Sequence, residues 1–468
     1  MAKHVVWFRQ DLRVSDNTAL WRACEDPKAE VVGVFCATPQ QWAEHDMAPI
    51  RQQFIRRNLV TLQRALGDLN IPLVVLEGSD YADAVTQVLR FLEAHSTDAV
   101  FINREYAVNE RERDAQFKAA LPAAMRCHWH HDFGIAPLGL LTKTGNPYTV
   151  FSPYKRAWIE RWIREPNLSN PVPATRTVAS AVVGSPIQPP DPLRTDSLWP
   201  AGEVAARARL DDFCARRLKA YKAHRDLPAL PGTSELSPYL AAGVISPRVC
   251  LETALHANDG LLQGGDQGAD TWISELIWRD FYIHILDTFP RVSMNRCFRP
   301  EGERIPWRDA PDDFRAWCEG RTGYPIVDAA MRQLVQTGWM HNRLRMLVAM
   351  FLTKQLLLDW RWGERFFMQH LIDGDLGANN GGWQWAASTG TDAAPYFRIF
   401  NPVTQSEKFD ASGEFIRRFV PELSELSDKE IHLPPPIIRA SLATPYPEPI
   451  VELKFARTRA LEAFQSRS

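Results

Sequence analysis

The chain lacks several features that would each narrow its chemistry at once. No apolar run approaches the length of about 20 residues that spans a bilayer as a helix, so no membrane span is expected. The opening MAKHVVWFRQDLR has too short an apolar run, followed at once by arginine, to read as a secretory leader. No CxxC pair occurs among Cys24, Cys36, Cys127, Cys214, Cys250, Cys297 and Cys318, and their number is odd. That argues for reduced thiols in a cytoplasmic protein rather than a disulfide framework. The GxGxxG fingerprint, the P-loop and the nucleophile elbow are all missing, so none of their chemistries is indicated. Neither sign of charge is in excess: 54 Lys and Arg face 56 Asp and Glu, a net charge of −2. Any surface that holds nucleic acid must then be a local basic patch. Internal repeats and low-complexity tracts are also absent.

What is present is length and alternation. A chain of 468 residues, 45% of them hydrophobic, has material for two or three domains. Over residues 1–135, short apolar runs alternate with helical patterns. HVVWF, VVGVFCA, PLVVLEG and AVFINREY read as buried strands, and RRNLVTLQRALGD and DAVTQVLRFLEAH as amphipathic helices between strands. This predicts an α/β domain, a parallel sheet with helices on both faces. Residues 136–202 read as an extended interdomain linker, because eight prolines fall from Pro166 to Pro200 and proline removes donors and blocks helix. From about 203 to 372 the periodicity is helical almost throughout, as in TWISELIWRDFYIHIL (271–286) and HNRLRMLVAMFLTKQLLLDW (341–360), which predicts an all-α second domain over 203–468.

A few stretches invite chemistry. In TWISELIWRDF, Trp272, Glu275, Trp278 and Arg279 fall on one helix face, although a half-buried helix with a surface ion pair would use them too. In MHNRLRMLVAM, Asn342, Arg345 and Met346 share a face, while Arg343 points toward solvent or phosphate. DGDLGANNGGWQW gathers Asp373, Asp375, Asn379, Asn380, Trp383 and Trp385. A buried Arg345 needs a carboxylate, and Asp373 is the candidate. Asn379 can donate to and accept from a heterocycle edge, but these residue types also build capping loops. YKAHRDLPALPGTSELSPYLAAG (221–243) supplies Tyr221, Arg225 and the run Thr233, Ser234, Glu235, Leu236, Ser237. Hydroxyls beside a glycine and opening a helix can hold phosphate, or simply cap the helix. CHWHHDF sets His128 and His130 on one strand face beside Cys127, but no second cluster has ligand spacing, so no metal is expected. Most of the sixteen tryptophans must be structural; Trp307, Trp360 and Trp383 are singled out as oxidisable rings that can pass an electron to a buried redox centre.

FRQDLRVSDN, TGYPIVDAAMRQL, GWMHNRLRM and DGDLGANNGGWQWAASTGTDAAPYFRIFNP together resemble the DNA photolyase and cryptochrome family, most of all its bacterial class I cyclobutane pyrimidine dimer photolyases. The similarity spans nearly the whole chain and is most specific from 322 to 402. It implies an α/β antenna domain, a helical domain that holds FAD, and DNA containing pyrimidine dimers as the substrate. By matching motif positions, Tyr221, Thr233, Ser234, Glu235, Leu236, Ser237, Trp272, Arg279, Arg345, Asp373, Asp375 and Asn379 would bind FAD, with Asn379 at the flavin N5. Trp383, Trp360 and Trp307 would relay electrons to the flavin. Glu275, Asn342, Trp278, Met346 and Trp385 would line the dimer cavity, and Arg225, Arg343 and Arg398 would grip phosphates. Blue light would excite reduced flavin, which would donate an electron to a flipped-out dimer and recover it after the ring splits. Glu275 and Asn342 would stabilise the dimer anion at its carbonyls, and the two indoles would offer flat walls.

Three rival readings follow from the same resemblance. A signalling cryptochrome often replaces the asparagine kept here as Asn379 and often has a long tail, whereas only 66 residues follow Pro402. Repair of the (6-4) photoproduct uses cavity histidines in relatives, where this chain has Asn342 and Met346, with His341 one residue away. A DNA-binding scaffold with a vestigial flavin pocket would have no need of these cavity residues. His45, Asn109 and Glu110 resemble antenna-binding positions for methenyltetrahydrofolate. Ser293 and Met294 stand where folate-containing relatives often have a Cys-Lys pair, so a deazaflavin or an empty site stays open. The expected state is a monomer in the cytoplasm.

Overall fold

Five short runs rich in β-branched and aromatic residues pair into one sheet. In the computed structural model, which describes residues 2–466, they are β1 (Lys3–Phe8), β2 (Glu30–Ala37), β3 (Leu73–Glu77), β4 (Ala99–Asn103) and β5 (Arg126–His130). All pairs are parallel and the order is β3-β2-β1-β4-β5. Between the strands run α1 (Thr18–Ala23), α2 (Pro39–Glu44), α3 (Pro49–Asp68), α4 (Tyr81–Ala94) and α5 (Val108–Ala120). Val5, Trp7, Val32, Val34, Val100 and Ile102 pack with Val85, Val88 and Leu92 of α4 and Phe117 of α5. The opposite face carries His4, whose Nδ1 meets Ala23 O at 2.8 Å, and Gly33, where a Cβ would lie 3.3 Å from Leu66 of α3. Helices therefore cover both faces, as the alternation implies.

Two element boundaries differ from the sequence reading for local reasons. α3 starts at Pro49, whose fixed φ and missing N–H suit a first turn. The strand read through Tyr106 stops at Asn103, where the chain turns so that Glu105 pairs with Arg113 at 2.7 Å. The expected 136–202 linker is extended only in part, since it contains α6 (Phe151–Arg164). From 165 to 202 there is neither helix nor strand, yet the segment is packed, not loose. The buried Arg176 donates to Cys24 O and Ala29 O at 2.9 Å each, and Gly184 runs so near β3 that a Cβ would meet Leu73 O at 2.1 Å. Proline blocks regular structure here without preventing the backbone from docking.

Helices follow: α7 (Glu203–Arg216), α8 (Tyr221–His224), α9 (Ser237–Ala241), α10 (Pro247–Ala257), α11 (Gln267–Thr288), α12 (Pro311–Cys318), α13 (Pro325–Thr337), α14 (Asn342–Met350), α15 (Trp360–His370) and α16 (Leu376–Ala386). The chain forms two compact units: one runs to Lys219 and takes in Ser234–Pro290, and the other comprises Ala220–Thr233 and the chain from Arg291 onward. The continuous helix expected over 341–360 is broken. α14 passes into a π-helical turn, Phe351–Gln355; Leu357 then adopts φ +55°, and Asp359 caps α15 by accepting from the Arg361 N–H at 3.0 Å. Leu356, Leu357 and Leu358 are all buried, so the apolar run fits the irregular path as well as a helix. In this second unit Trp317, Met331, Leu347, Phe351, Trp360, Phe367 and Trp383 share one core.

Candidate active site

In the first unit, Asp266 caps α11 by accepting from the Gly268 and Ala269 N–H groups. Gly268 is needed there, because a Cβ would lie 2.1 Å from Leu218 O. Trp272 is buried against Phe213 at 5.1 Å, while Glu275, Trp278 and Arg279 are half-buried. The Trp278 ring stacks on Phe151 of α6 at 3.7 Å and 8°, with Tyr282 stacked at 5.7 Å, so packing fixes its plane. Arg279 donates to the Phe133 carbonyl. Next to it, Asp280 accepts from Ile135 N at 3.0 Å, Ala136 N at 2.9 Å and Trp158 Nε1 at 2.8 Å; burial still pushes its carboxyl up.

In the second unit, Arg345 Nη2 donates to Asp373 Oδ2 at 2.7 Å and its Nε to Met340 O at 2.8 Å. The expected ion pair forms, with Arg345 half-buried rather than buried. Asp373 is buried, and its other oxygen, Oδ1, has no hydrogen-bond partner among the described residues. Leaving a buried acceptor so costs about 1–3 kcal/mol. A ligand with a donor at that atom would remove the cost, so these residues fit a polar cofactor. Asp375 caps α16 by accepting from Ala378 N at 2.9 Å, the plain structural role its residue type allows. Asn379 is half-buried and its Nδ2 donates to Glu364 O at 3.0 Å.

Trp383 is buried and lies edge-on to Trp317 at 6.0 Å and Phe367 at 5.0 Å. Gly363 of α15 makes room for it, since a Cβ there would sit 2.1 Å from its ring. Trp360 is buried beneath the Arg361 guanidinium at 4.8 Å, and the half-buried Trp307 meets Phe464 edge-on at 5.9 Å. Exposure thus rises from Trp383 and Trp360 to Trp307. Trp385 and Met346 are half-buried and Asn342 is exposed. His341 caps α14 by accepting from Arg343 N on Nδ1 at 3.2 Å, and burial pushes its imidazole down to about 4.

The cationic candidates divide. Arg398 is exposed. Arg225 lies 5.2 Å from the ring of the buried Tyr221. Arg343 is more committed than its spacing suggests: Nε and Nη2 hold Asp226 at 3.2 and 2.9 Å, and the guanidinium lies 4.6 Å from the Phe409 ring. The run from Thr233 to Ser237 does not open a long helix. α9 has five residues, no side chain caps it, and Glu235, at φ +52°, turns its carboxylate to Arg209. Thr233 and Ser234 are half-buried, Leu236 is buried and Ser237 is exposed.

The antenna candidates come together on the rim formed by the carboxyl ends of the strands, where open parallel sheets bind ligands. His45 ends α2, and Asn109 and Glu110 lie in the first turn of α5. His45 Nε2 meets Asn109 Nδ2 at 2.8 Å and Gln41 Nε2 at 3.1 Å. Its Nδ1 faces Glu110 Oε1 at 3.7 Å. Tyr81 donates to that same Oε1 at 2.7 Å. Of the histidines of CHWHHDF, His128 and His130 lie on the edge strand, His128 stacking on Phe101 at 4.6 Å, and burial pushes His130 down to about 4. Among the described residues no group of His, Cys, Asp and Glu is arranged to hold a metal.

Sequence reasoning passes over Gln41 and Tyr81 of the rim, and a buried polar chain along α16. Asn380 Nδ2 donates to Glu364 Oε1 at 3.0 Å, Gln384 Nε2 to Asn380 Oδ1 at 2.8 Å, and Gln384 Oε1 accepts from Phe298 N at 2.7 Å. The signal was available: amides four residues apart on the face next to Trp383. Lys354, wholly buried in the π-helical turn, is also missed, because it sits inside an apolar run.

The family model for the FAD binding domain of DNA photolyase matches residues 272–466, and that for DNA photolyase matches residues 4–175. The deoxyribodipyrimidine photo-lyase of Escherichia coli K12 is 47% identical, covering 100% of this chain and 99% of its own. A bacterial class III photolyase from Agrobacterium tumefaciens superposes with a TM-score of 0.86 at 36% identity, covering 100% of this chain and 98% of that one. An archaeal photolyase from Sulfolobus tokodaii, solved with two FAD molecules, superposes with a TM-score of 0.81 at 30% identity, covering 99% and 100%. The chain belongs to the DNA photolyase family.

Proposed function

We propose that this chain is a light-driven DNA repair enzyme that returns cyclobutane pyrimidine dimers to monomers with the help of bound FAD. The observation that carries this reading is the 47% identity, over all of this chain, with a protein named deoxyribodipyrimidine photo-lyase. The chemistry FAD supplies, once bound, reduced and excited by blue light, is donation and recovery of one electron. Asp373 Oδ1 would accept a hydrogen bond from that group, and Arg345 holds the carboxylate in position. Asn379 would face the flavin, and Trp272, Arg279, Asp375 and the segment from Tyr221 to Ser237 would add contacts to it. Trp278, its plane fixed by Phe151 and Tyr282, would offer a flat aromatic surface to a pyrimidine. Trp385 offers a second flat surface. Glu275 and Asn342 place hydrogen bonds at the dimer's carbonyls, where negative charge develops. Trp307, Trp360 and Trp383 would supply electrons from the surface to the bound flavin. Arg398 and Arg225 take phosphates; Arg343 does so with the guanidinium edge that Asp226 leaves open.

The functional division we propose is antenna domain 1–135, connector 136–202 and catalytic domain 203–468, acting as a monomer in the cytoplasm. The rim cluster of His45, Asn109, Glu110 and Tyr81 supports an antenna site, with methenyltetrahydrofolate as the proposed pigment. An absorption spectrum tests it: a near-ultraviolet band released with folate fluorescence supports folate, and a sharp violet-blue band overturns it in favour of a deazaflavin. The repair reading is tested with a dimer-containing oligonucleotide held with the flavin-loaded protein in light and in darkness. Monomers should accumulate only in light; intact dimers after illumination overturn the proposal.

A further inference from the structure

Lys354 sits in the π-helical turn Phe351–Gln355 and is fully shielded from solvent. Its Nζ donates to Ser388 Oγ at 2.9 Å, Arg398 O at 3.0 Å, and Pro395 O and Tyr396 O at 3.4 Å each. The next side chain, Gln355, donates to Phe400 O at 3.1 Å. One irregular turn therefore holds four carbonyls of the segment 395–400. The loop it holds exposes Phe397 (59%) and Arg398, a ring beside a guanidinium, the combination that stacks on bases and pairs with phosphates. Burying an ammonium is costly even when it is fully hydrogen-bonded, and removing it would leave the carbonyls of Pro395, Tyr396 and Arg398 without this donor.

We propose that Lys354 is a positioning residue for DNA recognition: its ammonium, with the Gln355 amide, fixes the backbone of Pro395–Phe400 so that Phe397 and Arg398 meet nucleic acid in one conformation. This rests on the repair reading above. It assigns Lys354 no contact with DNA or with FAD.

The test uses full-length, FAD-loaded Lys354→Met. Hydrogen exchange of the amides from 396 to 400 should accelerate by about tenfold or more while those of α13 stay as in the wild type. On a dimer-containing duplex, the slope of log K against log salt should shrink by about one, as it should in Arg398→Gln. The double variant should lose no more affinity than the weaker-binding single variant, because both changes remove one interaction. FAD content and light-driven flavin reduction should not change. Additive losses, an unchanged salt slope, or unaltered loop exchange each overturn the proposal and leave Lys354 as a fold staple. Should Lys354→Met fail to fold, Lys354→Leu, which likewise removes the donor, carries the same measurements. A wild type that binds no dimer-containing DNA sinks the repair reading itself; a wild type that binds, with a variant that binds identically, sinks only this inference.

Discussion

His341 shows what one side chain can contribute. It is buried, accepts the Arg343 N–H, and is pushed down to about 4 from 6.5. Between those pH values the unfolded chain binds more protons than the folded one, so stability falls as pH falls from 6.5 toward 4. The full effect is of the order of 3 kcal/mol. His341→Asn keeps a capping acceptor and removes the titration. The denaturant midpoint of the variant should therefore change less between pH 7 and pH 5 than that of the wild type, and an equal change would contradict this. Asp373 is the other decisive residue. Asp373→Ala removes the oxygen left without a partner and strands Arg345, so FAD retained through gel filtration should fall by about tenfold or more, from the 1–3 kcal/mol value of such a bond. The Arg345–Asp373 pair was legible because an inward-facing arginine requires a carboxylate and one lay in a dense polar stretch. The Arg343–Asp226 pair was not: the two are 117 residues apart, and no local spacing points from one to the other.

Among elements, packing between α15 and α16 is the sharpest constraint. Gly363 lies where a Cβ would enter the Trp383 ring at 2.1 Å. Gly363→Ala should destabilise the protein by about 1–3 kcal/mol through overpacking, read by chemical denaturation. It should also slow light-driven flavin reduction if the ring that must move is the relay ring we propose; unchanged stability would mean the helices separate freely. Strands and amphipathic helices were legible where their periodicity is strong, as in α4 and β2. The break between α14 and α15 was not, because three buried leucines satisfy either path. The docked connector after α6 was misread for a related reason: proline count reports the absence of helix, not the presence of contacts such as those of Arg176.

At the scale of the molecule, an alternating first third and a helical remainder gave the fold class, since a parallel sheet demands crossovers and long amphipathic periods demand helices. Function was legible through motifs more than through physics. The residues that set geometry rather than chemistry, such as Phe151 behind Trp278 and Lys354 behind Arg398, carry no motif and emerge only from packing. The central claim is that light acting on FAD within this protein drives dimer splitting. It is met most directly by following thymine dimers chromatographically during blue illumination, with the flavin spectrum recorded on the same reduced, FAD-loaded sample. The expected result is one-for-one conversion of dimer to monomers that starts and stops with the lamp while the flavin spectrum is preserved over many turnovers. Flavin-loaded protein that binds the duplex, absorbs the light and leaves the dimer count constant would contradict it.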